Sequence, residues 1–149
     1  MSNKKKVKRI NGRRIEGLIA KYIRDNNKNF WVYRYNENRR NATPGDMQIQ
    51  TPKFDIILEV KSSSGDTVFM AAVRKTQIQS LRTYHKRFKR NLGIFIFYYN
   101  KNKKYIMIDI MRLSKIKGNF TYDKVKGIGY EVKDWKKVNG YFRRVHSRK

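Results

Sequence analysis

The chain has 149 residues, of which 37 are Lys or Arg and 11 are Asp or Glu, so its formal net charge is +26. This length suits one domain, and 39% hydrophobic residues can build a core, which excludes wholesale disorder. The absence of cysteine excludes disulfides, thiolate metal sites and cysteine nucleophiles, while the charge favours a polyanionic partner, most simply nucleic acid.

The first part of the sequence predicts a basic arm followed by a helix. Residues 1–10 are predicted to form a flexible arm that contacts phosphates, the alternative being a solvated charge run. Its basic residues are Lys4, Lys5, Lys6, Lys8 and Arg9. No apolar segment follows the arm, so we expect no secretory signal. A helix is predicted to begin near Asn11, a residue type favoured at the N-cap. Its apolar stripe is Ile15, Leu18, Ile19, Tyr22 and Ile23.

Three strands are predicted next. Residues 30–35 are aromatic and β-branched, residues 46–50 alternate between polar and apolar, and residues 54–61 form a strand strong enough to be central. The loop between the first two strands carries Arg39 and Arg40, for which we also expect phosphate contacts. A turn around Pro52 joins the other two strands into a hairpin.

The rest of the sequence predicts a helix over residues 72–91 and a hairpin of residues 93–99 and 105–110. The order of elements predicts an α/β fold with a central mixed five-stranded sheet flanked by helices. Residues 11–111 would form the core domain, with 112–149 as its basic C-terminal extension. The longest apolar run is far shorter than the ~20 residues that span a bilayer. We therefore expect no membrane partner and an intracellular location, in the cytoplasm or with the nucleoid.

Two carboxylates are predicted to meet in the first hairpin. A turn centred on Pro52 pairs residues whose numbers sum to about 105, which sets Asp46 opposite Glu59 with Cβ atoms ~5 Å apart. Lys61 shares that face, since it lies two residues after Glu59. An oxygen-only pair of this kind suits Mg²⁺, which binds one or two carboxylates together with phosphate oxygens. The alternative is a structural ion-pair cluster.

The acid-x-Lys spacing carries little information by itself. With 22 lysines among 149 residues, eleven acids produce about 1.6 such triplets by chance, and the chain contains three. Glu131-Val132-Lys133 has the same sequence as Glu59-Val60-Lys61, but no sustained strand precedes it. The prediction therefore depends on the strand and the hairpin that surround Glu59.

Pro44-Gly45-Asp46 followed by Glu59-Val60-Lys61 resembles the PD-(D/E)xK nuclease signature. The wider pattern is similar to the archaeal-type Holliday junction resolvases of the restriction-endonuclease-like superfamily. Those proteins open with a glycine-basic-x-x-Glu helix, which Gly12-Arg13-Arg14-Ile15-Glu16 matches, and their second helix often carries Gln followed by Leu, as in Gln77 and Leu81. The similarity covers residues 9–110.

The resemblance implies a metal-dependent endonuclease that nicks two strands of a four-way DNA junction as a homodimer. Asp46 and Glu59 would be metal ligands, with the Val60 carbonyl and Glu16 completing the site, and Lys61 would be the catalytic lysine. The implied cofactor is Mg²⁺, with Mn²⁺ as a substitute. Gln77 would support the site and Arg13 would bind DNA. The alternative for Glu16 is a helix-surface salt bridge.

Two other functions stay open at this stage. A restriction-like or other structure-selective DNA nuclease would use the same chemistry on a different substrate. A basic DNA-binding protein without catalysis would explain the charge alone, and its binding would survive EDTA and neutralisation of Glu59.

Overall fold

The structure, a computed structural model, describes residues 11–35 and 45–149. Its first element is helix α1, Gly12–Asn26. As predicted, Asn11 is the N-cap, and its side chain accepts a hydrogen bond from the Arg13 N–H at 3.0 Å. This contact satisfies one of the free N–H groups of the first turn. The buried residues of α1 are Ile15, Ile19, Ala20 and Ile23.

The three predicted strands are present as β1 (Trp31–Arg34), β2 (Met47–Gln50) and β3 (Asp55–Ser63). Both β1 and β3 pair with β2 in antiparallel orientation. In the second pair Met47 lies opposite Leu58 and Gln50 opposite Asp55, so the residue numbers sum to 105 and the predicted register is confirmed. In the turn between them, the Thr51 hydroxyl accepts a hydrogen bond from the Phe54 N–H at 2.8 Å.

The second helix is shorter than predicted. Strand β4 (Thr67–Val68) and a 3-10 turn over Met70–Ala72 come first, and helix α2 spans Lys75–Arg87. The predicted range 72–91 is wrong at its start because the backbone there closes 3-10 hydrogen bonds. It is wrong at its end because Phe88 adopts an extended backbone, with its side chain 60% exposed, and the next strand begins soon afterwards.

The remaining elements follow in close succession. They are β5 (Asn91–Tyr99), β6 (Lys104–Asp109), α3 (Ile110–Leu113), β7 (Phe120–Thr121), α4 (Tyr122–Ile128), β8 (Tyr130–Glu131), a 3-10 turn (Trp135–Lys137) and α5 (Val138–Ser147). Strands β5 and β6 form the predicted hairpin. Strands β4 and β7 pair in a separate two-stranded sheet.

The main sheet has the order β1-β2-β3-β5-β6-β8. Strands β3 and β5 are parallel and the other neighbours are antiparallel, so the predicted α/β fold with a central mixed sheet is confirmed. The predicted number of five strands is wrong, because β8 adds a sixth. Two residues are too few to show the alternation from which a strand is predicted.

Helices cover both faces of the sheet. One hydrophobic cluster lies between the sheet and helices α1 and α5, and another lies between the sheet and helices α2, α3 and α4. Helix α5 contributes Val138, Tyr141, Phe142 and Val145 to the same cluster as Ile19 of α1. Residues 112–149 thus pack on both faces, while their assignment as an extension stays a prediction. No helix in the described ranges is long and apolar enough to cross a membrane.

Candidate active site

Asp46 lies one residue before β2 and continues the pairing of that strand with β3. Its N–H donates at 3.0 Å to the carbonyl of Leu58, the residue that also lies opposite Met47, and its side chain interacts with that of Glu59, the next residue of β3. The Val60 N–H donates to Asp46 Oδ2 at 2.7 Å. The strand pairing therefore fixes both the position of the Asp46 backbone and the orientation of its carboxylate.

Glu59 is 5% exposed and receives two contacts on one oxygen. Lys61 Nζ lies 3.4 Å from Glu59 Oε1, and Gln77 Nε2 donates to the same oxygen at 3.1 Å. The Gln77 amide is itself fixed, since its Oε1 accepts a hydrogen bond from the Arg74 N–H at 3.2 Å. The start of α2 is thus held against the centre of β3, and Glu59 Oε2 is free of these two contacts.

Glu16 reaches the same cluster from α1. Its Oε2 accepts a hydrogen bond from Arg34 Nη2 at 3.3 Å, and the same nitrogen donates to the Arg13 carbonyl at 3.2 Å. Arg34 was not predicted from the sequence. The signal that could have found it is its place in β1, two residues after Val32, on the face of the sheet that meets α1.

Burial raises the pKa of all three carboxyl groups. The pKa of Glu16 is raised to about 7 and that of Asp46 to about 6, while that of Glu59 is raised as well. A neighbouring carboxylate adds to the effect in all three cases, since Asp46 acts on Glu16, Glu59 acts on Asp46 and Glu16 acts on Glu59. Arg34 and Lys61 oppose these shifts without cancelling them. The cluster therefore holds more negative charge than its surroundings neutralise.

The donor set of this cluster fits a hard divalent cation. Among residues 11–35 and 45–149, no three Asp, Glu, His or Cys side chains are spaced as a preformed metal site. Mg²⁺ needs only one or two protein carboxylates, however, and takes its other oxygens from water and phosphate. Asp46 and Glu59 are such a pair, and a cation between them would relieve the repulsion that raises the pKa of Asp46.

Gly45 allows the close approach that places Asp46. It is buried, and a Cβ at this position would lie 2.6 Å from Ile57 Cγ2 and 3.0 Å from the Leu58 carbonyl oxygen. Only glycine therefore fits between the chain before β2 and the backbone of β3. This contact explains why a glycine precedes Asp46.

The structure brings five predicted residues together: Glu16, Asp46, Glu59, Lys61 and Gln77. Their roles, and that of the Val60 carbonyl, stay predictions. Arg13 is exposed near the start of α1. The arm residues Lys4, Lys5, Lys6, Lys8 and Arg9, and the loop residues Arg39 and Arg40, lie outside the described ranges.

The repeated Glu-Val-Lys sequence lies elsewhere in the fold. Glu131 is in the edge strand β8, where it accepts a hydrogen bond from the Tyr122 hydroxyl at 3.2 Å and pairs with Lys104 and Lys133 at 3.9 and 3.7 Å. This triplet therefore has an ordinary structural explanation, as its sequence context indicated.

Comparison with known proteins gives one line of evidence, from solved structures. Neither family models nor curated proteins give a match to this chain. The chain is similar to the structure of Hjc, a Holliday junction resolvase from the archaeal hyperthermophile Archaeoglobus fulgidus, with a TM-score of 0.63 and 14% identity. The match covers 80% of this chain and 95% of that chain. At this identity, the similarity establishes a shared fold.

Proposed function

We propose that the chain is a divalent-metal-dependent DNA endonuclease that resolves four-way Holliday junctions by paired phosphodiester hydrolysis. The observation that carries the proposal is the cluster at the β2–β3 pair, where the Asp46 carboxylate interacts with that of Glu59 and Lys61 Nζ lies 3.4 Å from Glu59 Oε1. The nuclease-like motif around these residues and the fold shared with an archaeal Holliday junction resolvase support the same class of enzyme.

Asp46 and Glu59 would hold Mg²⁺, or Mn²⁺ in its place, with the Val60 carbonyl and Glu16 as the remaining proposed ligands. The bound ion would polarise the scissile phosphate and lower the pKa of the attacking water. Glu59 Oε2 is the oxygen available for coordination, since Lys61 and Gln77 both contact Oε1. Gln77 thus has a proposed role in orienting Glu59.

Lys61 is the proposed catalytic cation. Its side chain is only 16% exposed, and its ammonium group lies beside the carboxylate pair. A positive charge held there, in a site with little water, stabilises negative charge that develops on a phosphate during hydrolysis. The same ammonium could instead orient the attacking water.

The net charge of +26 supports binding to DNA phosphates on either side of this cluster. The proposed phosphate contacts come from the arm, from Arg39 and Arg40 in the loop, and from Arg13. Nicking two opposed strands of a junction requires two active sites. We therefore propose a C2 homodimer, whose symmetry matches that of the junction.

The test is cleavage of synthetic four-way junctions with Mg²⁺ and with EDTA. We expect Asp46→Asn and Glu59→Gln to lower the cleavage rate at least about 100-fold, as the loss of a key electrostatic group does in other enzymes. Glu131→Gln is the matched control, because it neutralises the glutamate of an identical Glu-Val-Lys sequence outside the cluster. This variant is expected to cleave at the wild-type rate.

Each alternative function gives its own result in this assay. Equal cleavage of a linear duplex of the same length would remove the resolvase assignment and leave a nuclease of other selectivity. Equal cleavage by wild type and both cluster variants would place the active site elsewhere. No cleavage by any of them, with DNA binding that survives EDTA, would identify a DNA-binding protein without catalysis.

A further inference from the structure

A cavity of about 510 Å³ lies apart from the carboxylate cluster. Its lining residues lie at the end of α2, at the end of β6, in α3, at Lys115 just after α3, and at the end of α5. Helix α2 links the two places, since Gln77 contacts Glu59 and His85 lines the cavity. Eight residues along a helix correspond to about 12 Å. The volume lies within the range of small-molecule sites.

His85 is a buried polar side chain with one free donor. It is 3% exposed, and its Nδ1 accepts a hydrogen bond from the Gly93 N–H at 3.0 Å. The neutral ring therefore carries its hydrogen on Nε2. Within the described part of the chain Nε2 has no hydrogen-bond partner, and the atom keeps some exposure to solvent. His85 lines the cavity, so the ring brings an uncommitted N–H donor to its wall.

The walls of the cavity carry an excess of positive charge. Its one acidic lining residue in the described chain, Asp109, is already matched, since it accepts a hydrogen bond from Arg148 Nη2 at 3.0 Å and further ones from two N–H groups of α3. Lys149 Nζ is also engaged, by four carbonyl groups at the end of α2 and the start of β5. Lys86 and Lys115 have no such partner among the described residues, so both are available to an anion.

We propose that this cavity binds the phosphate group of a nucleotide. His85 Nε2–H and the ammonium groups of Lys86 and Lys115 would contact the phosphate oxygens, and the apolar side chains of Met111 and Val145 would contact the base or the sugar. The His85 N–H donor and the two lysines without an acidic partner among the described residues favour an anion. The cavity volume and the apolar wall favour an anion larger than inorganic phosphate. A free nucleotide and a nucleotide within a DNA strand share this chemistry.

Binding can be measured without any cleavage, in EDTA and at constant ionic strength. The nitrogen-15 and proton signals of the His85 side chain are followed by NMR during titration with inorganic phosphate, dAMP or a short single-stranded oligonucleotide. We expect a saturable shift of the Nε2–H signal with dAMP and a weaker one with inorganic phosphate. A tighter response to the oligonucleotide than to dAMP would identify a DNA strand as the source, and the reverse would identify a free nucleotide.

Two variants test the proposed contacts. Lys86→Ala/Lys115→Ala removes two exposed lysines and is expected to weaken dAMP binding about tenfold or more, as loss of charge-assisted hydrogen bonds does. The matched control, Lys21→Ala/Lys28→Ala, removes the same charge from exposed positions on and just after α1 and should leave binding unchanged. In both variants a thermal unfolding curve confirms the fold.

Three results would overturn the proposal. They are the absence of a saturable shift with every ligand, a shift seen with inorganic phosphate alone, and an equal loss of affinity in the two lysine variants, which would indicate general electrostatic attraction. Because binding is measured in EDTA, the result does not depend on whether the chain has nuclease activity. Failure of this proposal and failure of the proposed nuclease function are thus distinguishable.

Discussion

Asp46 is held in place by groups that differ in their effect on its charge. The Val60 N–H and Lys61 favour the charged carboxylate, whereas burial and the nearby Glu59 disfavour it and raise its pKa to about 6. The second set prevails, so at neutral pH the folded chain carries an Asp46 carboxylate whose repulsion with Glu59 a bound cation would relieve. Such stored repulsion lowers stability and prepares a metal site.

Replacing this carboxylate should stabilise the protein in the absence of metal. The folded-state pKa of Asp46 is raised above the ordinary 3.8, so the folded state loses stability as pH rises through about 6. Asp46→Asn keeps an oxygen for the Val60 N–H and removes the charge. We expect the free energy of unfolding at pH 8 in EDTA to rise by about 1–2 kcal/mol, measured by urea denaturation.

Mg²⁺ completes this test, because an ion that binds only the folded state stabilises it. The urea midpoint of the wild-type protein should rise with Mg²⁺, and that of Asp46→Asn should stay constant. Glu131→Gln, whose carboxylate is paired with Tyr122 and Lys104, should follow the wild type. A lower stability of Asp46→Asn, or an equal response to Mg²⁺, would contradict this account of the site.

Gly45 gives a purely steric prediction at the same place. Gly45→Ala would put a Cβ 3.0 Å from the Leu58 carbonyl oxygen and closer still to Ile57, so β3 and the preceding chain must separate. We expect a loss of about 1–3 kcal/mol in unfolding free energy and a slower cleavage reaction, because Asp46 moves with its neighbour.

Gly140→Ala is the control for this substitution. Gly140 lies in α5 with nothing within 4 Å of the added Cβ, so the change should stabilise the protein by about 0.5–1 kcal/mol. If both alanine variants changed stability alike, the close approach at Gly45 would have no consequence.

At the scale of elements, the site is a meeting of α1, the β2–β3 hairpin and α2. The hairpin could be predicted from the sequence, because the turn at Pro52, the alternation of residues 46–50 and the apolar strand that follows together determine which residues face each other. The ends of α2 could not be predicted in this way, because neither the 3-10 hydrogen bonds before it nor the extended backbone at Phe88 changes the periodicity of the apolar residues. Strand β8 depends on tertiary contacts that a single sequence does not encode locally, and the partner of Arg34 is likewise fixed by the packing of α1 on β1.

The position of α2 makes Gln77 a positioning residue whose removal can be measured. Gln77→Ala would delete the donor to Glu59 Oε1 and leave the fold intact, since its side chain is only partly buried. We expect kcat for junction cleavage to fall about tenfold while junction binding stays constant, because a misplaced ligand affects the reacting geometry.

Gln79→Ala serves as the control in the same helix. Gln79 is exposed and lies outside the cluster, so its removal should leave both kcat and binding at wild-type values. Rescue of kcat by Gln77→Asn is not expected, because the shorter side chain does not span the 3.1 Å contact. Equal kcat in the two alanine variants would show that α2 does not orient Glu59.

At the scale of the whole molecule, the net charge of +26 and the buried polar groups have separate consequences. The charge attracts polyanions from a distance and acts at every part of the surface. Catalysis as proposed depends instead on a few acids that the sheet brings together. Burial also sets the state of His85, whose pKa is lowered to about 4 by desolvation and by the charge of Lys149. This buried ring links the stability of the entire fold to pH.

The sign of that dependence follows from the two states of His85. The unfolded chain takes up a proton below its ordinary pKa of 6.5, whereas the folded chain does so only near pH 4, so stability is complete above pH 6.5 and is lost as the pH falls towards 4. The loss attributable to this group is about 2–3 kcal/mol. His85→Asn keeps an acceptor for the Gly93 N–H but does not titrate. Urea denaturation in a phosphate-free buffer should therefore show that the stability advantage of the wild type over His85→Asn narrows from pH 7 to pH 4. A difference that stays constant over this range would show that His85 takes up its proton at the same pH in the folded and the unfolded chain.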